Sequence, residues 1–263
     1  MGAMSSAGEK TRVLVHGAAG RMGREVLAAV LRQPDMLPVA LVDRVSPPAG
    51  SVPHFADVME AIRQTRPRVT VDFSTAEGAM QAARAALPAG VCLVVGSTGL
   101  SDGELEEIRA LCSRHEVGAV VAPNFALGAV LLVHMARTAA RFFDYADIVE
   151  MHHETKIDAP SGTALAIARA MAEAKGQFQR PMPQKEPVPG TRGGEQSGVS
   201  IHSVRMPGRM AHHEVTLGTS GQTLTLRHDT INRECYIPGV MLAIRDVTKR
   251  RGLVVGLEKV LGL

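Results

Sequence analysis

Arg12-Val13-Leu14-Val15-His16, running straight into Gly17-Ala18-Ala19-Gly20-Arg21-Met22-Gly23, is the stretch that decides the fold. The first five residues form a short apolar run with β-branched members, which predicts a buried strand. Glycines interrupt it, and Val26, Leu27, Val30 and Leu31 then share one face at helical spacing. A strand, a glycine turn and a helix bring backbone without obstructing Cβ atoms up to a helix N-terminus. The free N–H groups there carry partial positive charge and suit a pyrophosphate. The spacing is G-x-x-G-x-x-G, with Ala19 where the usual dinucleotide fingerprint has its second glycine. Alone, it is as consistent with a mere tight turn as with a cofactor loop.

Working outward, the same alternation recurs. Residues 38–42 read as a second strand closing on Asp43-Arg44, and the Pro, Gly and Ser of residues 45–54 read as loop. Residues 69–73 read as a third strand, followed by a helix through Met80, Ala83 and Leu87. Residues 91–95 read as a fourth, ending in Gly96-Ser97-Thr98-Gly99. A helix from Asp102 to His115, opened by Ser101 or Asp102, leads to a fifth strand at 118–122, which ends in Pro123-Asn124-Phe125. Strands alternating with helices predict an α/β fold with a parallel sheet wrapped on both faces. The motifs fall at strand C-terminal ends, where ligands bind in such sheets. Asp43 can accept hydrogen bonds from the adenosine ribose, or be a solvated strand-end charge. Arg44 can pair with the 2′-phosphate of NADP, so the two together admit NADH and NADPH. Gly96-Ser97-Thr98 and Pro123-Asn124-Phe125 are either ordinary turns or nicotinamide-side contacts.

The regular alternation stops near residue 125. A helix rich in Ala, Leu and Met at 128–142, a strand at 148–151 and a helix at 164–175 precede a Pro- and Gly-dense segment, 176–198. Val199–Arg205, 214–218 and 223–227 read as strands joined by turns, hence a mixed or antiparallel sheet. A last helix at 240–250 and the Gly-Leu-Val-Val-Gly-Leu-Glu tail are expected to return to the first domain. Met135 and Met171 stand at helical spacing and read as core.

The densest chemistry lies in Glu150-Met-His152-His153-Glu-Thr-Lys156-Ile-Asp158-Ala-Pro160-Ser161-Gly162-Thr163-Ala164. Two imidazoles and an ammonium lie within five residues, before a turn that opens a helix. A lysine and a helix N-terminus both seek anions and together suit a carboxylate. Histidine and lysine can also deliver protons near neutral pH. The plainer alternatives are a polar loop before a capped helix, or a metal-binding His pair. Adjacent histidines project differently and no carboxylate or Cys cluster completes a tetrahedron, so no metal is expected. His212-His213-Glu214, at a strand start, reads as structural or substrate-flanking.

Composition narrows the classes. At 45% hydrophobic and 21% charged the chain is ordinary for a soluble globular protein. A net charge of +3 and 3% aromatics argue against nucleic-acid binding. Cys92, Cys112 and Cys235, odd in number and far apart, read as buried free thiols of a reducing compartment. Residues 1–10 lack a signal-peptide apolar run and read as a flexible leader or an expression remnant. No stretch reaches the ~18 apolar residues of a membrane span. A cytoplasmic location is expected.

The His152-His-x-x-Lys156-x-Asp-Ala-Pro-Ser-Gly162-Thr163-Ala run closely resembles the signature of 4-hydroxy-tetrahydrodipicolinate reductases. Gly17 to Gly23, Asp72-Phe73-Ser74, Gly96-Ser-Thr-Gly99 and Asn124-Phe125 follow in that family's order. The resemblance implies a Rossmann-like nucleotide-binding domain, 11–125 completed by 234–263. It also implies a smaller α+β substrate domain with a mixed sheet, 126–233, that assembles a homotetramer. His152 and Lys156 would be the proton donors, and His153, Gly162 and Thr163 would hold the carboxylates of a small cyclic dicarboxylate. The cofactor, NADH or NADPH, would meet Gly17, Ala18, Ala19, Gly20, Arg21, Met22, Asp43, Arg44, Gly96, Ser97, Thr98, Ala122, Pro123, Asn124 and Phe125. Ala19 and Pro123 depart from residues found in some relatives. The rival readings are another two-domain dehydrogenase for amino acids or sugars, and a nucleotide-sensing module without catalysis.

Overall fold

The computed structural model describes residues 9–46 and 50–263. Residues 1–8 of the leader expected at 1–10, and part of the loop expected at 45–54, lie outside them. The chain divides into two compact units, one running to Phe125 and resuming at Tyr236–Leu263, the other Ala126–Cys235.

In the first unit β1 (Thr11–His16) leads through the glycine turn into α1 (Arg21–Arg32) and β2 (Met36–Val42). A two-residue β3 (His54–Phe55) follows, then α2 (Val58–Thr65), β4 (Val69–Asp72), α3 (Ala76–Ala86), β5 (Cys92–Val95), α4 (Asp102–His115) and β6 (Gly118–Val121). Ser101 caps α4: its hydroxyl takes the Glu104 N–H while the Glu104 carboxylate takes the Ser101 N–H. Two of these elements are absent from the sequence reading. Strand β3 cuts into the expected loop, and α2 is a short helix capped by Asp57 that buries only Val58, Ala61 and Ile62.

The second unit comprises α5 (Leu127–Ala140), β7 (Tyr145–His152), α6 (Gly162–Lys175), β8 (Gly194–Gln196), β9 (Val199–Arg205), β10 (Ala211–Thr219) and β11 (Gln222–Thr230). Its sheet runs β11-β10-β7-β9-β8, with β7 and β9 parallel and the other pairs antiparallel, so it is mixed. Alternation along β7 turns Ala146, Ile148, Glu150 and His152 to one side. The two apolar residues of that set pack with Leu132, Ala136 and Ala140 of α5 and Ala164, Ile167, Ala168 and Met171 of α6.

The chain then re-enters the first unit with α7 (Ile237–Val247), β12 (Gly252–Val255) and α8 (Leu257–Leu261). Helix α7 begins three residues before the expected 240, because Pro238 fits a first helical turn. The completed sheet is seven-stranded and parallel, in the order β12-β6-β5-β4-β1-β2-β3, which is the Rossmann-like arrangement. One face is closed by α2, α3 and α4, and α1 and α7 pack on the sheet as well. Such a sheet is dry on both sides, which explains why its strands read as unbroken apolar runs. β1 lies between β2 and β4, where the winding reverses, so the glycine turn opens at the crevice that reversal creates.

Three expectations about burial are corrected. Leu31 is 61% exposed, since the next residue round from Val30 turns off the packed face of α1. Met135 is 44% exposed because α5 buries the stripe Ala129, Leu132, Ala136 and Ala140 instead. Cys92 and Cys112 are buried free thiols, whereas Cys235, in the 3-10 turn Arg233–Tyr236, is only half-buried. Among the described residues no helix is long and apolar enough to cross a membrane.

Candidate active site

The nucleotide-side motifs lie at the C-terminal edge of the parallel sheet. Gly17 turns with φ +76°, and a Cβ there would stand 2.7 Å from the Phe73 carbonyl oxygen, so glycine is required. Gly20 precedes α1 and gives its first-turn N–H groups no side-chain cap. The Ala19 N–H donates to Asp43 Oδ2 at 2.9 Å, and the Val45 N–H donates to Oδ1 at 3.3 Å. Asp43 therefore fastens the glycine turn to the end of β2, beside the exposed Arg44. Arg21 is exposed, Met22 half-buried and Ala18 buried.

At the end of β5, Gly96 lies against Phe73: an added Cβ would stand 2.1 Å from the ring. Phe73 in turn packs on Phe125, ring centroids 5.8 Å apart. Ser97 is buried and its hydroxyl donates to Asp72 Oδ2 at 2.5 Å. Ser74 donates to Asp72 Oδ1 at 2.5 Å, and His16 Nδ1 lies 2.9 Å from the same oxygen. The Ser97 side chain thus supports the floor of the crevice. Thr98 and Pro123 are exposed and Asn124 half-buried, while Ala122 is buried with its N–H on the Val95 carbonyl.

In the second unit, β7 delivers Glu150 and His152 on one face, two residues apart. His152 Nδ1 lies 2.5 Å from Glu150 Oε2, and Arg205, at the end of β9, grips the same carboxylate at 2.7 and 3.0 Å. Burial alone would push the Glu150 carboxyl up, but hydrogen bonds with His152, Arg205 and Ser203 outweigh it and hold it at about 2. The His152 ring meets that of His213 on β10 edge-on, 5.4 Å between centroids. His213 Nε2 lies 3.0 Å from the Ser161 hydroxyl, which caps α6 by accepting the Ala164 N–H. Gly162 and Thr163 are therefore the first residues of a capped helix. Arg205 also donates to the Asp158 carbonyl at 2.8 Å, and Lys156 Nζ pairs with the Asp158 carboxylate at 2.6 Å.

One connected set thus runs from Lys156 through Asp158, Arg205, Glu150, His152 and His213 to Ser161. His153 stands outside it, exposed, its Nδ1 on the Thr155 hydroxyl at 2.7 Å.

Two family models match the chain. "Dihydrodipicolinate reductase, N-terminus" matches residues 11–125, and "Dihydrodipicolinate reductase, C-terminus" matches residues 128–261. The chain belongs to the dihydrodipicolinate reductase family. It is 47% identical over 261 residues to a 4-hydroxy-tetrahydrodipicolinate reductase of Dehalococcoides mccartyi, covering 96% of this chain and 98% of that one. It is 48% identical over 261 residues to the enzyme of that name from Moorella thermoacetica, covering 95% and 97%. A dipicolinate-bound dihydrodipicolinate reductase from Paenisporosarcina sp. TG-14 superposes with a TM-score of 0.89 at 37% identity, covering 95% of this chain and 99% of that one. An amine dehydrogenase from Mycobacterium smegmatis, at 14% identity and TM-score 0.63, shares the fold alone.

Three members of this connected set are not singled out by the sequence pattern. Glu150 stands two residues before His152, and strand alternation alone would have placed both on one face. His213, within His212-His213-Glu214, reads as structural or substrate-flanking, and Arg205 has no signal beyond ending a strand.

Proposed function

We propose that the chain reduces 4-hydroxy-tetrahydrodipicolinate to tetrahydrodipicolinate with NADH or NADPH, as a step of diaminopimelate and lysine biosynthesis. The observation that carries this reading is the buried set around His152, joined to a capped helix N-terminus and to Lys156. A solvated loop does not bury a carboxylate, two imidazoles and a guanidinium together without a task for them. The glycine turn, whose Gly17 has no room for a Cβ, fits a pyrophosphate, and Asp43 stands ready for a ribose hydroxyl.

A bound nicotinamide supplies the hydride to the conjugated imine ring, with water lost from the hydroxylated form. The residues of this chain do the rest. Gly17, Ala18, Ala19, Gly20, Arg21 and Met22 hold the pyrophosphate side, and Asp43 and Arg44 the adenosine side. Gly96, Ser97, Thr98, Ala122, Pro123, Asn124 and Phe125 form the nicotinamide side. The N–H groups of Gly162 and Thr163, with His153, hold the ring carboxylates. Lys156 binds a carboxylate and shares proton delivery with His152, which protonates the enamine carbon left by hydride addition.

The second unit also builds a homotetramer in this reading. Its support is the sheet face opposite α5 and α6, where Val149, Met151 and Val204 remain half-buried. A cytoplasmic location accords with the free thiols. The test is oxidation of NADH and of NADPH with substrate freshly made by a coupled synthase. Oxidation dependent on that substrate is expected; none above background with either cofactor would overturn the proposal.

A further inference from the structure

The geometry points to Glu150 as a positioning residue that sets the working tautomer of His152, with Arg205 clamping Glu150 in place. This deepens the reading of His152 as proton donor and rests on it. Glu150 has no solvent exposure. It receives His152 Nδ1 at 2.5 Å, Arg205 at 2.7 and 3.0 Å, and the Ser161 N–H at 3.3 Å. The Ser203 hydroxyl, beside it in register on β9, faces it as well. A carboxylate surrounded by donors stays ionised and can only accept, so the His152 nitrogen that meets it must carry hydrogen. With Nδ1 so committed, Nε2 is the nitrogen that gives and regains a proton.

The other groups facing His152 leave that assignment intact. His213 on β10 approaches edge-on and is directed to Ser161, not to Glu150. Burial, and the neighbouring His152, push its imidazole down to about 4, so it stays neutral while His152 cycles. Lys156 is engaged by Asp158. Arg205 spans both sides: the guanidinium that fixes Glu150 also donates to the Asp158 carbonyl, coupling the segment that carries Lys156 to β7. A buried ion pair adds little stability over an apolar packing of the same shape, so orientation is its physical use here.

The test combines nitrogen-15 NMR of histidine-labelled full-length protein with steady-state kinetics. The His152 resonance is identified by its loss in His152→Gln. In the parent, at a pH where His152 is neutral, the Nδ1–H tautomer is expected. Glu150→Gln should mix the tautomers and lower kcat by roughly 10- to 100-fold, the usual effect of losing a residue that orients a functional histidine. KM should stay within a few-fold. The double variant Glu150→Gln/His152→Gln should be no slower than His152→Gln alone, because one residue acts through the other. Arg205→Lys, which keeps the charge and loses the fork, should lie between parent and Glu150→Gln. An Nε2–H tautomer in the parent would overturn the proposal whether or not any variant folds. So would a Glu150→Gln protein with parental kcat and tautomer. Should His152→Gln itself turn over within a few-fold of the parent, the proton-donor reading falls, and the tautomer still decides what Glu150 does.

Discussion

The Ser161 hydroxyl sits 3.0 Å from Nε2 of His213, 52 residues further along the chain, and both side chains are buried. The same oxygen accepts the Ala164 N–H. One hydroxyl thereby ties the start of α6 to β10. Ser161→Ala removes a helix cap and a buried partner together, and should lower unfolding stability by about 1–3 kcal/mol. Urea denaturation followed by circular dichroism measures this. A midpoint equal to the parent's, at equal slope, contradicts it.

Acid should destabilise the protein in two steps. Burial and the nearby His152 hold His213 at about 4 against its ordinary 6.5. The unfolded chain therefore takes up a proton that the folded chain refuses, and stability falls as pH drops from 6.5 to 4, by on the order of 3 kcal/mol. Glu150, raised by burial but held down to about 2 by its hydrogen bonds, gives the second loss, between 4.5 and 2. Unfolding measured across this range should lose the first step in His213→Gln and keep the second. An unchanged slope between pH 6.5 and 4 in that variant rules out His213 as its source.

Cofactor choice should divide between adjacent residues. Arg44→Ala removes only a partner of the extra phosphate and should weaken NADPH more than NADH. Asp43→Ala deletes the ribose acceptor and should weaken NADH more than NADPH. It also releases the Ala19 N–H, so some loss with both cofactors is expected. Fluorescence titration with each cofactor decides, and equal effects on both in both variants would misplace the adenosine pocket.

Chemistry and binding should separate at the two proton donors. His152→Ala should act mainly on kcat, and Lys156→Ala should raise KM as well as lower kcat. General acid catalysis is worth ~10²–10⁴-fold, so each kcat should fall within that range. Cofactor affinity should persist in both variants, the glycine turn belonging to the other unit. Turnover within a few-fold of the parent in both would remove the catalytic assignment.

Inhibition should follow the number of carboxylates. Pyridine-2,6-dicarboxylate, the ligand bound in the Paenisporosarcina enzyme, should compete with substrate here. Pyridine-2-carboxylate should bind more weakly, since it offers one anchor where the helix start and Lys156 can hold two. Equal inhibition constants for the two would refute the two-anchor arrangement.

The parallel sheet was legible because its strands are buried on both faces and read as apolar runs between glycine and helix signals. The helix at Asp102–His115 has the expected bounds, and of the two caps the sequence leaves open, Ser101 and Asp102, it is Ser101 that caps it. Helix α2 escaped because eight residues with three buried give too little periodicity to stand out. In the site, local motifs were readable and distant partners were not. His152, Lys156, Gly162 and Thr163 share one stretch, whereas Arg205 and His213 reach Glu150 and Ser161 only through the pairing of β9 and β10 with β7. Register of that kind is a tertiary property. Ser97 shows the converse, a residue read from its motif whose side chain turns inward to Asp72.

The last strand, β12, pairs with β6, and α7 and α8 belong to the same unit. During synthesis the second unit, contiguous in the chain, has every residue it needs before the first does. Until Gly252–Val255 has been made, β6 is an open, apolar edge of the N-terminal sheet. An unpaired edge of this kind invites strand addition from other chains. Closure of that edge therefore depends on a segment that follows the whole second unit: a polypeptide cut short before Gly252 keeps that unit, yet exposes the border that β12 covers.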